Sequence, residues 1–197
     1  MKNRLLFALA VMATVALTGC AGTNFVRPAE GEIVVGKSAP AEVTKKMGDP
    51  WQSGELMKNE QNLKVTKYAY AATGGASAYP GVVPARAITF AFFNDKLVGQ
   101  EFTSSFKEDL TDFDSNKVSQ LVKGKTTKKE VVELFGKPTG EAIYPVIKGT
   151  KDYAYSYTYA QAKGTAFNMK FYSKSLVVSF NDAGIVSDVE YAVSGDQ

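Results

Sequence analysis

Histidine is absent from this 197-residue chain, and cysteine occurs once. Without His the sequence lacks the usual neutral-pH base, the commonest metal ligand, and every Ser-His-Asp or Cys-His nucleophile pair. A lone Cys forbids an internal disulfide and any Cys-rich zinc site. Excess charge is small: 23 basic against 20 acidic residues, net +3. That field is too weak to point to nucleic acid. The longest apolar run, Leu5 to Leu17, is broken only by Thr14 and is short for a membrane-spanning helix. The aspartates of DLTDFDSN (Asp109, Asp112, Asp114) lack the Gly and terminal Glu of a calcium loop, so they read as a solvated linker with a helix cap. GKTT at 124–127 lacks the upstream glycine of a phosphate-binding loop, because Ser119 stands there. The expectation is a non-enzyme with no cofactor, no metal and no nucleic-acid partner.

What is present begins with an address. Lys2 and Arg4 precede the apolar run, and Leu17-Thr18-Gly19-Cys20 follows it. This order reads as an export signal over 1–19, ending in the pattern that bacterial lipoproteins use to acylate a cysteine. Cys20 is therefore the expected lipidation site and membrane anchor. In a Gram-negative source, Ala21 after it favours the outer membrane over inner-membrane retention, with the protein facing the periplasm. Residues 20–31, small, polar and carrying Pro and Gly, read as a tether.

The remainder is written twice. Gly36, Glu42, Val43, Gly48 and Pro50 recur as Gly124, Glu130, Val131, Gly136 and Pro138, each 88 residues on. Tyr68-Ala69-Tyr70 matches Tyr153-Ala154-Tyr155, and Phe93-Asn94-Asp95 matches Phe180-Asn181-Asp182. Thr127 and Glu130 form a capping-box pattern, and Pro40 suits a first helical position. Gly48 and Gly136, each two residues before a proline, fit left-handed C′ positions. Asp114 is placed to cap a helix over 115–122, and Glu32–Val35 is its short counterpart. Three strand-like runs follow each helix: 64–72, 87–94 and 97–106, then 152–160, 174–181 and 185–193. The predicted fold class is α+β. It has two tandem helix-helix-strand-strand-strand units, 32–106 and 112–197, joined by 107–111, with helices on one face of each antiparallel sheet.

The G-x-[ST]-x-x-x-[EQ]-V-x-x-x-[LMF]-G-x-P pattern resembles the SmpA/OmlA (BamE-like) outer-membrane lipoprotein family. It is carried by Gly36, Glu42, Val43, Met47, Gly48 and Pro50, and again by Gly124, Thr127, Glu130, Val131, Phe135, Gly136 and Pro138. The doubling resembles β-lactamase inhibitory protein. The resemblance implies a non-catalytic module that binds a protein partner and assists outer-membrane protein assembly. The alternative it implies is an inhibitor of an envelope or foreign enzyme.

Two surfaces could meet an envelope protein partner. Tyr68 and Tyr70, then Tyr153 and Tyr155, alternate along strands and so share a face. That face is either a core beneath the helices or an open recognition sheet. The runs Thr73–Ala85 and Gln161–Ser173 read as long loops bearing Tyr79, Val82 and Val83, and Phe167, Met169 and Phe171. Part of 166–172 can instead extend a strand. Ala76–Val83 is the segment that an inhibitor would use as a plug.

Overall fold

The computed structural model describes residues 22–72, 74–165 and 167–196. The export signal and Cys20 lie outside the described residues. The chain forms helix α1 (Pro40–Met47), then strands β1 (Gln52–Lys58), β2 (Gln61–Ala71), β3 (Ala85–Phe93) and β4 (Lys96–Ser104). A 3-10 turn follows at Ser115–Gln120, then helix α2 (Lys128–Phe135). Strands β5 (Gly140–Ile143), β6 (Tyr153–Thr165), β7 (Asn168–Phe180) and β8 (Val186–Gly195) complete it.

The expected α+β fold class, with two separate helix-helix-strand-strand-strand units, is corrected. All eight strands form one antiparallel sheet in chain order, from β1 to β8. It is continuous because β4 pairs with β5 (Gly99 with Ala142, Glu101 with Gly140). Sequence reading missed β1 and β5. Strand β1 is exposed along its whole length, so it shows no apolar alternation. Strand β5 is only four residues long. The first helix expected in each half is also missing: residues 30–37 are turns, and 115–120 makes only a 3-10 turn. Two eight-residue helices cannot layer an eight-stranded sheet, and each buries a single residue, Val43 or Val131.

The repeat survives in the hydrogen bonds. Gly36 N donates to the Leu97 carbonyl at 2.7 Å, and Gly124 N to the Val186 carbonyl at 2.8 Å. Ala39 N donates to Glu42 Oε2 at 2.8 Å, and Thr127 N to Glu130 Oε2 at 2.7 Å. Only the second helix completes the capping box, because Ala39 has no side-chain oxygen to offer Glu42 N. The tyrosine match, however, shifts. Tyr68 Oη donates to the Gly48 carbonyl at 2.9 Å, and its counterpart is Tyr157, donating to the Gly136 carbonyl at 3.1 Å. Tyr153 and Tyr155 stand four residues too early to be the equivalents of Tyr68 and Tyr70.

Gly48 and Gly136 have φ of +78° and +79°. Their ψ values of −161° and −159° put them in a glycine-only region rather than the left-handed helical one. The extended ψ swings the chain straight out towards Pro50 and Pro138.

Two cores lie on the helix side of the sheet. One gathers Val43, Tyr68, Ile88, Phe90, Leu97 and Phe102. The other gathers Phe113, Val131, Tyr157, Leu176, Val178 and Val186. The segment expected as a tether is docked from residue 22 onward. Phe25 meets Tyr68 and Phe102 edge-on, both at 6.5 Å. Arg27 reaches the other half, its Nη2 donating to the carbonyls of Pro138 and Thr139 at 3.1 and 3.0 Å.

Candidate protein-docking trough

The other side of the sheet carries a curved hollow. Cross-strand pairing puts Ala91, Gly99, Ala142, Ala154 and Val177 on one face. A single hollow of about 920 Å³ on that face is lined by residues of all eight strands, from Leu56 and Val65 to Asp188 and Glu190. A hollow touching both end strands means that the sheet curls into a trough. Its floor is made of small residues, so the strand backbones can approach one another closely. A Cβ on Gly140 would sit 2.2 Å from the Gln100 carbonyl oxygen and 2.4 Å from Ser156 Oγ. Glycine is required there for β4, β5 and β6 to meet.

The connection from β5 to β6, residues 144–152, folds back into this trough. Val146 presses on Gly99, where a Cβ would come within 3.0 Å of Val146 Cγ2. Ile147 packs with Ala142 and Ala154. Asn59, in the β1–β2 turn, donates to the Pro145 carbonyl at 2.9 Å. The Ser187 hydroxyl donates to Asp152 at 2.5 Å, and Lys148 pairs with Glu190 at 3.4 Å. Sequence reading missed this insert. The one available signal was an apolar pair, Val146-Ile147, inside an otherwise polar loop.

The tyrosines divide. Tyr68 is a core residue. Tyr70 is half-buried and stacks on Phe106 at 6.0 Å. Tyr153 and Tyr155 are half-buried on the helix side, with Lys128 Nζ at 4.8 and 4.6 Å from their rings. The tyrosines therefore lie on the helix side, while Ala91, Ala142 and Ala154 on the other side are themselves buried, the last two against Ile147. Burial, with help from Glu141, raises the Tyr153 phenol well above its usual range.

The two expected loops also divide. Residues 74–84 form a docked strap. Val82 is buried and bridges to Lys163, and Val83 N donates to the Ala162 carbonyl at 2.8 Å. Tyr79 Oη donates to Asp112 Oδ2 at 2.5 Å, which pushes its phenol up to about 12. No free plug of the kind expected over Ala76–Val83 is present among the described residues. Gln161–Ser173 is a hairpin instead of a loop, with β6 and β7 paired out to Thr165 and Asn168. It gathers Met169, half-buried, with Phe171 (69% exposed) and Phe167 (101% exposed) near its tip.

The aspartate run is built in rather than solvated. Asp109 pairs with Arg86 at 3.1 Å, and Asp112 with Lys174 at 2.7 Å. Each cation side chain is only 8% exposed, and the two stand 88 residues apart. Asp114 caps its 3-10 turn through Asn116 N. No cluster of three or more metal-ligating side chains occurs among the described residues, and none of their helices is long and apolar enough to cross a membrane.

Residues 112–190 match the family model of the outer membrane protein assembly factor BamE domain. The BamE-like half is thus the second copy of the repeat, supplying α2, β5, β6, β7 and the first half of β8. No curated protein sequence matches the chain. Among solved structures, a proposed β-lactamase inhibitor protein from Streptococcus mutans is similar at 12% identity and a TM-score of 0.38, covering 91% of this chain and 94% of its own.

Proposed function

We propose that the protein is a non-catalytic accessory module of outer-membrane protein assembly, anchored through lipid at Cys20, facing the periplasm and docking a protein partner in its trough. The observation that carries this reading is the BamE match over 112–190, because those residues supply about half of the trough wall. The trough walls flanking the 144–152 insert, with Leu56, Val65 and Val177 none of them fully buried, give a partner a pre-formed sheet surface at little entropic cost. The mixed rim of Lys58, Glu101, Lys148 and Glu190 supplies polar contacts around an apolar centre, as protein interfaces do. On this reading 32–106 and 112–197 are duplicated units whose shared sheet is the working surface.

Photo-cross-linking in intact envelopes tests it. A photoreactive residue at Ser175 or Val177, inside the trough, should capture an outer-membrane assembly component. The same residue at Lys129 or Glu133, on the outer side of α2, should not. Capture only from α2 would refute the trough as the docking face.

A further inference from the structure

We propose that the β6–β7 hairpin tip is a membrane-seating element, entering the phospholipid interface beside the lipidated N-terminus. The inference rests on the Cys20 anchor proposed above and adds a second contact with the bilayer.

The chain's exit point makes the case. Gly22 pairs with Tyr70 at the end of β2, so only Ala21 lies between the docked fold and Cys20. Two residues span at most about 7 Å, which seats the body against the bilayer rather than on a long leash. Strands β2 and β6 run in the same direction through the sheet. The hairpin therefore leaves the same end of the molecule as the N-terminus. The strap 74–84 bridges the two, joining the end of β2 to Ala162 and Lys163. Tyr70 pairs with Arg86 and Arg86 with Ser104, while Ala160 N bonds Thr103 Oγ1. Gly22 thus stands near the level of residues 160–161. From there the hairpin continues about 20 Å to its turn, well beyond the reach of the two residues that carry the lipid.

Its chemistry suits that position. Phe167 is wholly exposed at the turn and Phe171 largely so. Lys163 and Lys170 stand directly opposite each other across the two strands, and neither is in an ion pair among the described residues. Like charges directly opposite weaken a hairpin, and a headgroup phosphate between them would remove that cost. An aromatic tip flanked by long cations matches the depth profile of a lipid interface. A protein partner for the tip is the competing outcome.

The lipidated chain carrying W51F and F167W has its single tryptophan at the tip. In phosphatidylethanolamine–phosphatidylglycerol vesicles its emission should shift to the blue and be quenched by brominated acyl chains. The unlipidated C20S chain should bind the same vesicles weakly. F167A/F171A should reduce that partitioning about tenfold or more, and K163Q or K170Q about fivefold each, none with a fall in melting temperature. Unquenched tip fluorescence in the lipidated chain would overturn the proposal, as would a shift appearing only when envelope proteins are added. Mass spectrometry of the mature N-terminus separates the two readings. Absence of lipid at Cys20 defeats the anchor, and the Phe-dependent partitioning of the C20S chain then decides the hairpin on its own.

Discussion

Replacing Gly136 with Ala probes the backbone that ends α2. Its φ of +79° and ψ of −159° lie where only glycine is comfortable, and an L-residue held there costs about 1–3 kcal/mol. Beyond its chain neighbours no atom lies within 4 Å of the position a Cβ would take, so the penalty is local to the backbone and includes no clash with packed residues. Ala also narrows the unfolded ensemble, which returns about 0.4–1 kcal/mol. The net loss should be about 1–2 kcal/mol, or a fall in Tm of about 2–8 °C for a chain of this size. Gly54 in β1 is the control. It has equally open space for a Cβ and no positive φ, so G54A should be neutral or slightly stabilising. Urea and thermal unfolding of both variants check this. The two losses being equal, or G136A being as stable as the parent, would refute the conformational argument. A cycle with Y157F adds a second reading. If Ala relaxes the cap, the Gly136 carbonyl turns away from Tyr157 Oη, and the two losses should be less than additive.

Two further outcomes follow from the charges. D112N should cost about 3–5 kcal/mol, because it leaves the buried Lys174 ammonium without its counter-charge. Adding K174M to D112N should recover part of that loss, and no recovery would show that Asp112 acts mainly through Tyr79. Stability should be flat from about pH 6 to 9, since the chain has no His and its one thiol, Cys20, precedes the described fold. Tyr79 is raised to about 12 by Asp112, and Tyr157 and Tyr159 are raised by burial. A raised phenol stabilises the fold fully below its unfolded pKa near 10, and that contribution is lost as pH climbs from about 10 to 12. Asp188, lowered by Lys123, and Glu130, lowered by the Thr127 amide, contribute above about pH 4 and cease to do so as pH falls through their folded values. A step in the urea midpoint near pH 6–7 would contradict this account.

The duplicated cap-and-turn residues were legible because they act locally. Glu130 and Thr127 cap α2, the Asn94-Asp95 turn has positive φ at both residues, and Gly48 and Gly136 end their helices wherever the helices pack. The number of strands was not legible. Strand β1, with QSGELMK exposed throughout, has no buried face to impose a period on its sequence, and its pairing is set by β2. The hairpin at 161–173 was misread because residues such as Gly164 and Asn168 are turn formers by composition, whereas the backbone pairing that decides their state is non-local. The tyrosine face could not be settled from alternation, which divides a strand into two faces without saying which one the helices cover. The trough is further still from the sequence, because it depends on how four strands meet another four.

That meeting turns two halves of the chain into one surface. Strands β4 and β5 share only a short stretch of pairing, from Gly99 to Glu101, which is little to hold two halves in register. The joint is reinforced from outside the sheet. Arg27 crosses from the N-terminal segment to Pro138 and Thr139, the strap 74–84 pairs with the β6–β7 hairpin, and Asp109 and Asp112 fasten the connecting segment to one buried cation in each half. These ties lie outside the trough, and the 144–152 insert adds another inside it, with Val146 packed against Ala91 and Val98 of the first half and against Ala142 and Ala154 of the second. Gly99 and Gly140 complete the arrangement on the floor itself. At one a Cβ would press on Val146, and at the other it would collide with the Gln100 carbonyl and Ser156. Of the two, Gly140 is the stricter requirement, because its obstacle is the Gln100 backbone carbonyl rather than a side chain. The continuity of the trough therefore resides in the joint, where the two halves of the sequence differ.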